Sequence, residues 1–446
     1  MPSPKPETSD SSGSPGKTFA ALGLRNYRLF WIGGLISNTG RWFQTLAIPA
    51  ITWQLTENAG WVGLAGFAQM IPMAVVAPLA GALADRHDRR RLLIVTQSVQ
   101  ALSTAVLMSM WAAGVRSPTA YVATAAVAGL GGGLNLPAWQ AFVSELVPRE
   151  LMLNAITLNS MQFNSSRMFG PVLAGVVLAS AGPAWAFFVN LVSFSGVLVA
   201  LVLIDTRSNV VAEKGSLRPI RDFVDTISYV RGEPGIAAAI TVVMIVGFFG
   251  FSLQVLSVVF AEEVFDRGPS GFGWMLTMMG AGAVLASPVV ASLGGRLPRS
   301  KIQSVALGSY ALAVMAFALA PTFLIALFAL MLVGASHLTT ASTLNTTIQL
   351  HVEDSRRAKV LSVYFVVLLV ASPVGQLSLG QLMQTFGPRP VVFGAGVTML
   401  VAGGALVASG RLAALDDGDG DYVPQVAPEV HPTYPVPPTR PVVGPR

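Results

Sequence analysis

The chain has no cysteine and very little charge: of its 446 residues only 11% are Asp, Glu, Lys or Arg, against 53% that are hydrophobic. Without cysteine there is no disulfide framework, no thiol nucleophile and no cysteine-based zinc site. The four histidines (His87, His337, His351 and His431) are too scattered to suggest a metal cluster, so no metal and no cofactor is expected. The shortage of charge says more. A soluble domain carries about 25% charged residues, so roughly half the charge needed to cover a water-facing surface is missing. A chain this apolar does not stay unfolded either, because disordered segments are poor in apolar residues and rich in charge.

What the sequence has instead is a series of long apolar stretches. Runs of about 20 apolar residues read as membrane-spanning helices. Twelve such runs fall at 29–54, 60–84, 92–113, 118–142, 154–180, 184–204, 236–262, 269–294, 301–320, 322–347, 359–386 and 388–410. The expected fold is all-α and polytopic, with twelve transmembrane helices in two six-helix bundles, 29–204 and 236–410, joined by a cytoplasmic linker at 205–235. In the linker, Ile220, Phe223, Ile227 and Val230 follow helical spacing, which predicts an amphipathic interfacial helix. Residues 1–28, which lack a cleavage-type apolar core, and 411–446 are polar and rich in Pro, Ser, Gly or Asp, and read as disordered cytoplasmic tails.

The net charge of +6 invites a nucleic-acid reading, which the placement of the charges excludes. With the amino terminus inside, 23 of the 28 Lys and Arg lie on inner segments, three (Arg116, Arg267, Arg389) on outer loops, and two (Arg41, Arg167) within spans. That split follows the positive-inside rule for a multi-pass protein of the inner (plasma) membrane with both termini in the cytoplasm. The halves also repeat. Val147, Gly170, Gly175, Gly182, Pro183 and Phe188 align at an offset of 205 with Val352, Gly375, Gly380, Gly387, Pro388 and Phe393, and Pro78, Leu83, Arg86 and Arg89 align at 210 with Pro288, Leu293, Arg296 and Arg299. Two units of the same orientation, related by an axis along the membrane normal, are expected.

The 22 acidic residues all avoid mid-depth, whereas Arg41, Arg167 and His337 lie near the middle of spans 1, 5 and 10. Ionisable groups there are costly and default to function. A competing reading has both arginines bonded to backbone carbonyls and His337 held in packing. Two glycine motifs carry no chemistry. SSGSPGKT (11–18) nearly spells a phosphate loop but has Ser11 in place of its first glycine and no preceding strand, and Gly129 to Gly133 lie within span 4, where small residues promote helix packing. No nucleotide is expected.

The loop GALADRHDRRRL (81–92) is the most specific motif. It resembles the signature of the major facilitator superfamily, G-x-L-a-D-r-x-G-r-r, at Gly81, Leu83, Asp85, Arg86, Arg89 and Arg90, with Asp88 in place of the glycine. The resemblance implies that Asp85 and Arg86 form a charge relay that holds the outward-facing state. Stretches 137–160, 170–175 (GPVLAG), 344–350 and 356–364 narrow it to the subgroup of enterobactin exporters and actinobacterial secretion and drug-efflux permeases. GPVLAG also resembles the kink motif of antiporters, with Gly170, Pro171 and Gly175 packing span 5 against span 8. A kink that serves packing alone is the alternative.

From this resemblance spans 1, 4, 7 and 10 are expected to line a central cavity, with Asn38, Arg41, Gln44, Gln162, Arg167, Gln254, His337 and Asn345 around the substrate. Fixed positive charge without a carboxylate favours an anionic, amphipathic molecule such as a siderophore, secondary metabolite or drug. The implied activity is secondary export by alternating access, coupled to protons through Glu145, Glu262 (or its neighbour Glu263), Asp85 or His337, in contact with lipid and without catalysis. An importer of a small organic solute and a non-transporting membrane sensor are the alternatives.

Overall fold

The computed structural model describes residues 19–205, 219–293, 296–352 and 354–416, and every regular element among them is a helix. The first half contains α1 (Arg25–Thr56), α2 (Ala59–Arg86), α3 (Arg89–Ala112), α4 (Pro118–Leu146), α5 (Met152–Ala181) and α6 (Pro183–Leu203). A connector helix, α7 (Pro219–Gly232), precedes α8 (Pro234–Val264), α9 (Gly268–Leu293), α10 (Arg299–Leu319), α11 (Phe323–His351), α12 (Asp354–Phe386) and α13 (Pro388–Ala408). Apart from α7, the shortest have 21 residues. At 1.5 Å per residue they reach about 32 Å, enough to cross a hydrocarbon core of about 30 Å. Nine of the helices are apolar enough by composition alone to be spans. The other three long ones, α1, α4 and α5, carry the polar and glycine-rich positions of the first half, among them Arg41 and Arg167.

The helices alternate in direction. On the face that carries the chain ends, Arg90 at the start of α3 donates to the carbonyls of Leu201 and Val202 at the end of α6. On the remote face, Arg389 of α13 donates to the Ala318 carbonyl of α10 at 2.9 Å, and Gln384 of α12 accepts from the Ala59 amide of α2 at 3.2 Å. Helix α1 packs on α5 and α6, and α2 on α4. In the second half α9 packs on α11, and α10 on α11 and α13. Between the halves α2 meets α12 and α5 meets α9. Both meetings are crossings at glycine. A methyl group on Gly175 would lie 2.9 Å from Gly273 Cα, and one on Gly380 would lie 3.1 Å from Gly63 Cα, so no larger residue fits.

The repeat is visible in local geometry. Gly182 and Gly387 adopt φ of 81° and 84°, which favours glycine, each just before the proline that opens the next helix. Asn135 donates to Thr96 at 3.0 Å in the first half, and Gln303 to Thr340, the counterpart of Asn135, at 3.4 Å in the second. One feature is not repeated. Asp88 caps α3 by accepting from the Arg91 amide at 2.8 Å, but its counterpart is Pro298, which has no capping group.

Asp416 supplies the missing cap. Its Oδ1 accepts from the Ser300 amide at 3.0 Å and its Oδ2 from the Ser300 hydroxyl. Leu412 and Leu415 are buried beside it. Residues 411–416, read from sequence as the start of a disordered tail, are therefore packed on the second bundle, because two leucines and a helix cap outweigh the polar composition around them. At the other end Ala21 donates to Asn154 at 2.9 Å and Tyr27 to the Ala155 carbonyl at 2.8 Å, so residues 19–28 are likewise docked rather than free. The linker helix forms where expected. Thr226 and Val230 are buried, and Arg356 of α12 lies over the Tyr229 ring at 4.7 Å. The side chains of Ile220 and Phe223 lie outside the described residues.

Candidate functional site

Helix α1 turns Asn38, Arg41, Trp42 and Thr45 toward Phe163, Asn164, Ser166 and Arg167 of α5, and the two rows enclose a cavity of about 290 Å³. The rows are held in register by bonds between the helices. Trp31 donates to the Leu158 carbonyl at 2.9 Å, Asn38 to Gln162 at 3.4 Å, and the Thr39 and Ser166 hydroxyls are hydrogen-bonded at 3.1 Å. Gly170 leaves the space that Trp42 fills; a methyl group there would overlap its ring.

Two smaller cavities adjoin this one. Arg41 and Thr45 also border a space of about 180 Å³ between α1, α2, α3, α4 and α6, with Gln44, Gln69, Gln100 and Asn190 on its walls. Gln44 is fixed there, its Oε1 accepting from Thr104 at 2.7 Å and Asn190 at 3.0 Å. On the other side Trp42 and Arg167 border a narrow space of about 20 Å³ that reaches Phe251 and Gln254 of α8, Tyr310 of α10 and His337 of α11. Tyr310 and His337 Nδ1 are 3.3 Å apart, and the Phe251 ring centroid is 5.5 Å from that of His337. Phe251 ends the first of two π-helical segments in α8, Val246–Phe251. Such segments recur at functional positions.

The electrostatics of these walls are one-sided. The residues lining the three spaces include two guanidiniums and no carboxylate. Among the described residues, the ion pair between Arg89 and Glu145 involves neither Arg41 nor Arg167. An arginine stays protonated in a protein, and placing one at mid-membrane costs about 2.5–3.5 kcal/mol on insertion scales. Both therefore need solvent or an anion in the cavity.

Of the residues expected around the substrate, Asn38, Arg41, Gln44, Arg167, Gln254 and His337 line these spaces, and two do not. Gln162 is fully buried between α1 and α5, donating to the Trp31 carbonyl and accepting from Asn38. Asn345 lies two turns along α11 from His337 and bonds to Gln349 on its own helix. Sequence reasoning missed Trp42, Phe251 and Tyr310, whose aromatic character gives no contrast in an apolar span.

The loop motif sits at the face of the chain ends. Gly81 and Asp85 fall in the last turns of α2, and the Asp85 side chain lies outside the described residues; Arg86 is exposed. The ion pair seen here joins Arg89 to Glu145 at 2.7 Å. Glu145 lies beyond the apolar stretch of α4. Burial pushes its carboxyl above the ordinary range, while Arg89 pulls it back. Pro171 and Gly175 sit at the α5–α9 crossing. Glu262 lies in the second π-helical segment, Phe260–Val264, with its Oε1 buried and without a hydrogen-bond partner; Glu263 beside it is exposed. Among the described residues no His, Asp and Glu are grouped to hold a metal ion.

Residues 16–432 match a family described as transmembrane secretion effector. The staphyloferrin A transporter of Staphylococcus aureus is 25% identical over 80% of this chain and 88% of its own. The multidrug efflux pump Tap of Mycolicibacterium fortuitum is 23% identical over 87% of this chain and 96% of its own. Among solved structures, the nucleoside transporter NupG superposes with a TM-score of 0.70 at 10% identity, over 86% of this chain and 98% of that one. An inward-facing, unoccupied bacterial homologue of the lysosomal transporter Spinster superposes with a TM-score of 0.66 at 16% identity, over 91% and 98%.

Proposed function

Because the chain belongs to the transmembrane secretion effector family of the major facilitator superfamily, we propose that it exports a small amphipathic anion across the cytoplasmic membrane by alternating access. The observation that carries the anion preference is the pair of arginines facing one cavity that has no acid on its walls. Export is favoured by the family description and by the efflux pump among its relatives. The basic face, which carries both described chain ends, is taken as cytoplasmic because it holds most of the Lys and Arg. The glycine crossings lie in the remote halves of α2, α5, α9 and α12, which supports a conformer closed to the outside with the cavity reached from the cytoplasm.

Coupling to protons is part of the proposal, with Glu145, Glu262 and His337 as the candidate carriers. Glu145 has the geometry of a switch, since protonation would break its charge pair with Arg89, and Glu262 has a free carboxylate oxygen to take a proton. Siderophore-like and drug-like acids are the substrates to try, in view of the relatives named staphyloferrin A transporter and multidrug efflux pump. The test is accumulation of labelled acids in cells stripped of their main efflux pumps. The wild type is expected to lower accumulation of acidic amphiphiles, and Arg41→Gln and Arg167→Gln to abolish that effect while the protein remains in the membrane. Neutral and acidic compounds expelled equally well by wild type and both variants would overturn the anion preference. In proteoliposomes, a pH gradient acidic inside is expected to drive uptake of the substrate, and transport indifferent to the gradient would remove protons from the mechanism.

A further inference from the structure

Resting on the reading of the chain as an anion transporter, we propose that its substrate carries two anionic groups separated by an apolar or aromatic spacer, one group for each arginine. Besides the cavity that both arginines line, each borders a further space that the other does not. Arg41 borders the space shared with Gln44, Gln100 and Asn190, whereas Arg167 borders the one shared with Tyr310 and His337. The Arg41-side space, about 180 Å³, has amide groups to complete the shell of a carboxylate, whereas the Arg167-side space, about 20 Å³, holds no more than about one water, so an anionic group on Arg167 sits in the shared cavity with the Tyr310 hydroxyl and His337 imidazole behind it. Trp42 and Phe163 also line the shared cavity, a surface suited to the flat or apolar middle of a ligand. The central and Arg41-side spaces, about 290 and 180 Å³, together reach the size of a small-molecule site.

Charge balance points the same way. A substrate with one anionic group leaves the second guanidinium without a counter-charge when the bundles close over the cavity. Two anionic groups neutralise both. A carboxylate fits the fork of an arginine with two parallel bonds, which sets direction as well as strength.

The experiment uses the full-length protein in nanodiscs and α,ω-dicarboxylates of graded chain length, each paired with its own monoamide, with affinity read by calorimetry. For the best-fitting length the diacid is expected to bind at least about 30-fold more tightly than its monoamide, the loss typical of removing one member of a desolvated charge pair. Arg41→Gln and Arg167→Gln are each expected to bring the diacid down to the monoamide, while Arg→Lys at either site keeps a smaller preference. Gel filtration and thermal melting show whether each variant is folded, and the wild-type comparison of diacid with monoamide stands without any variant. Equal affinity for diacid and monoamide at every length, with both dependent on an arginine, would overturn the two-point site and leave the anion transporter intact. Acids that neither bind nor compete, where neutral amphiphiles do, would overturn both.

Discussion

Arg89 and Glu145 meet at 2.7 Å where α3 begins and α4 ends. Burial raises the Glu145 carboxyl more strongly than Arg89 lowers it, so the folded protein takes up this proton at a higher pH than the unfolded chain does. A raised carboxyl contributes stability that is full below the ordinary glutamate pKa and is lost as pH rises through the folded value. Glu145→Gln, permanently neutral, is expected to flatten the part of the melting profile that falls as pH rises above the ordinary glutamate pKa, and to hold the loop in its protonated form at neutral pH. Equal slopes of melting temperature against pH in wild type and variant would show that Glu145 does not titrate there. At this scale the sequence was informative where a residue type is rare. Arg41, Arg167 and His337 stood out because charge inside a span is scarce, and all three line the cavities. It misled where a polar residue is satisfied locally: the Gln162 amide is used up by Trp31 and Asn38, which no helical spacing reveals.

The helices themselves were legible because their length and apolarity are imposed by the bilayer, and the boundaries moved by only a few residues. What stayed hidden were contacts made by short segments of ordinary composition. Pro298 breaks the cap that the repeat would have placed on α10, and nothing in LPRSKI says that the replacement comes from Asp416, more than a hundred residues on. Loss of a helix cap costs about 0.5–2 kcal/mol. Asp416→Ala is therefore expected to lower the melting temperature in detergent by a few degrees, and Ser300→Ala by less, since the backbone amide still bonds. Deleting residues 411–416 with everything after them should cost more, as Leu412 and Leu415 leave the bundle. A chain that stops after Asp416 should melt above one that stops after Gly410. Equal melting of the two truncations would remove the clasp. The π-helical segments of α8 were equally hidden; in the first of them Gly250 lies against Tyr310 of α10, a contact between helices that the pattern of α8 does not reveal.

For the whole molecule, the close crossings Gly63–Gly380 and Gly175–Gly273 join the two halves near the remote face, and in the alternating-access reading they are the contacts that would close it. A side chain on Gly380 would sit 2.6 Å from the Ala59 carbonyl oxygen, and one on Gly175 2.9 Å from Gly273 Cα; both obstacles are backbone and cannot turn aside. Overpacking of this kind typically costs about 1–3 kcal/mol. That is enough to reverse a two-state balance, since about 1.4 kcal/mol is a factor of ten. Gly380→Leu and Gly175→Leu are thus expected to hold the bundles apart at the remote face and together at the face of the chain ends, with transport reduced at least about tenfold. The absence of native cysteine makes the measurement direct. Spin labels on Gln54→Cys and Thr385→Cys report the remote face, and labels on Ser144→Cys and Gln349→Cys the other, without background labelling. The glycine variants should lengthen the first distance and shorten the second. Both distances unchanged in folded, membrane-inserted variants would mean that the crossings pack the bundles without gating them.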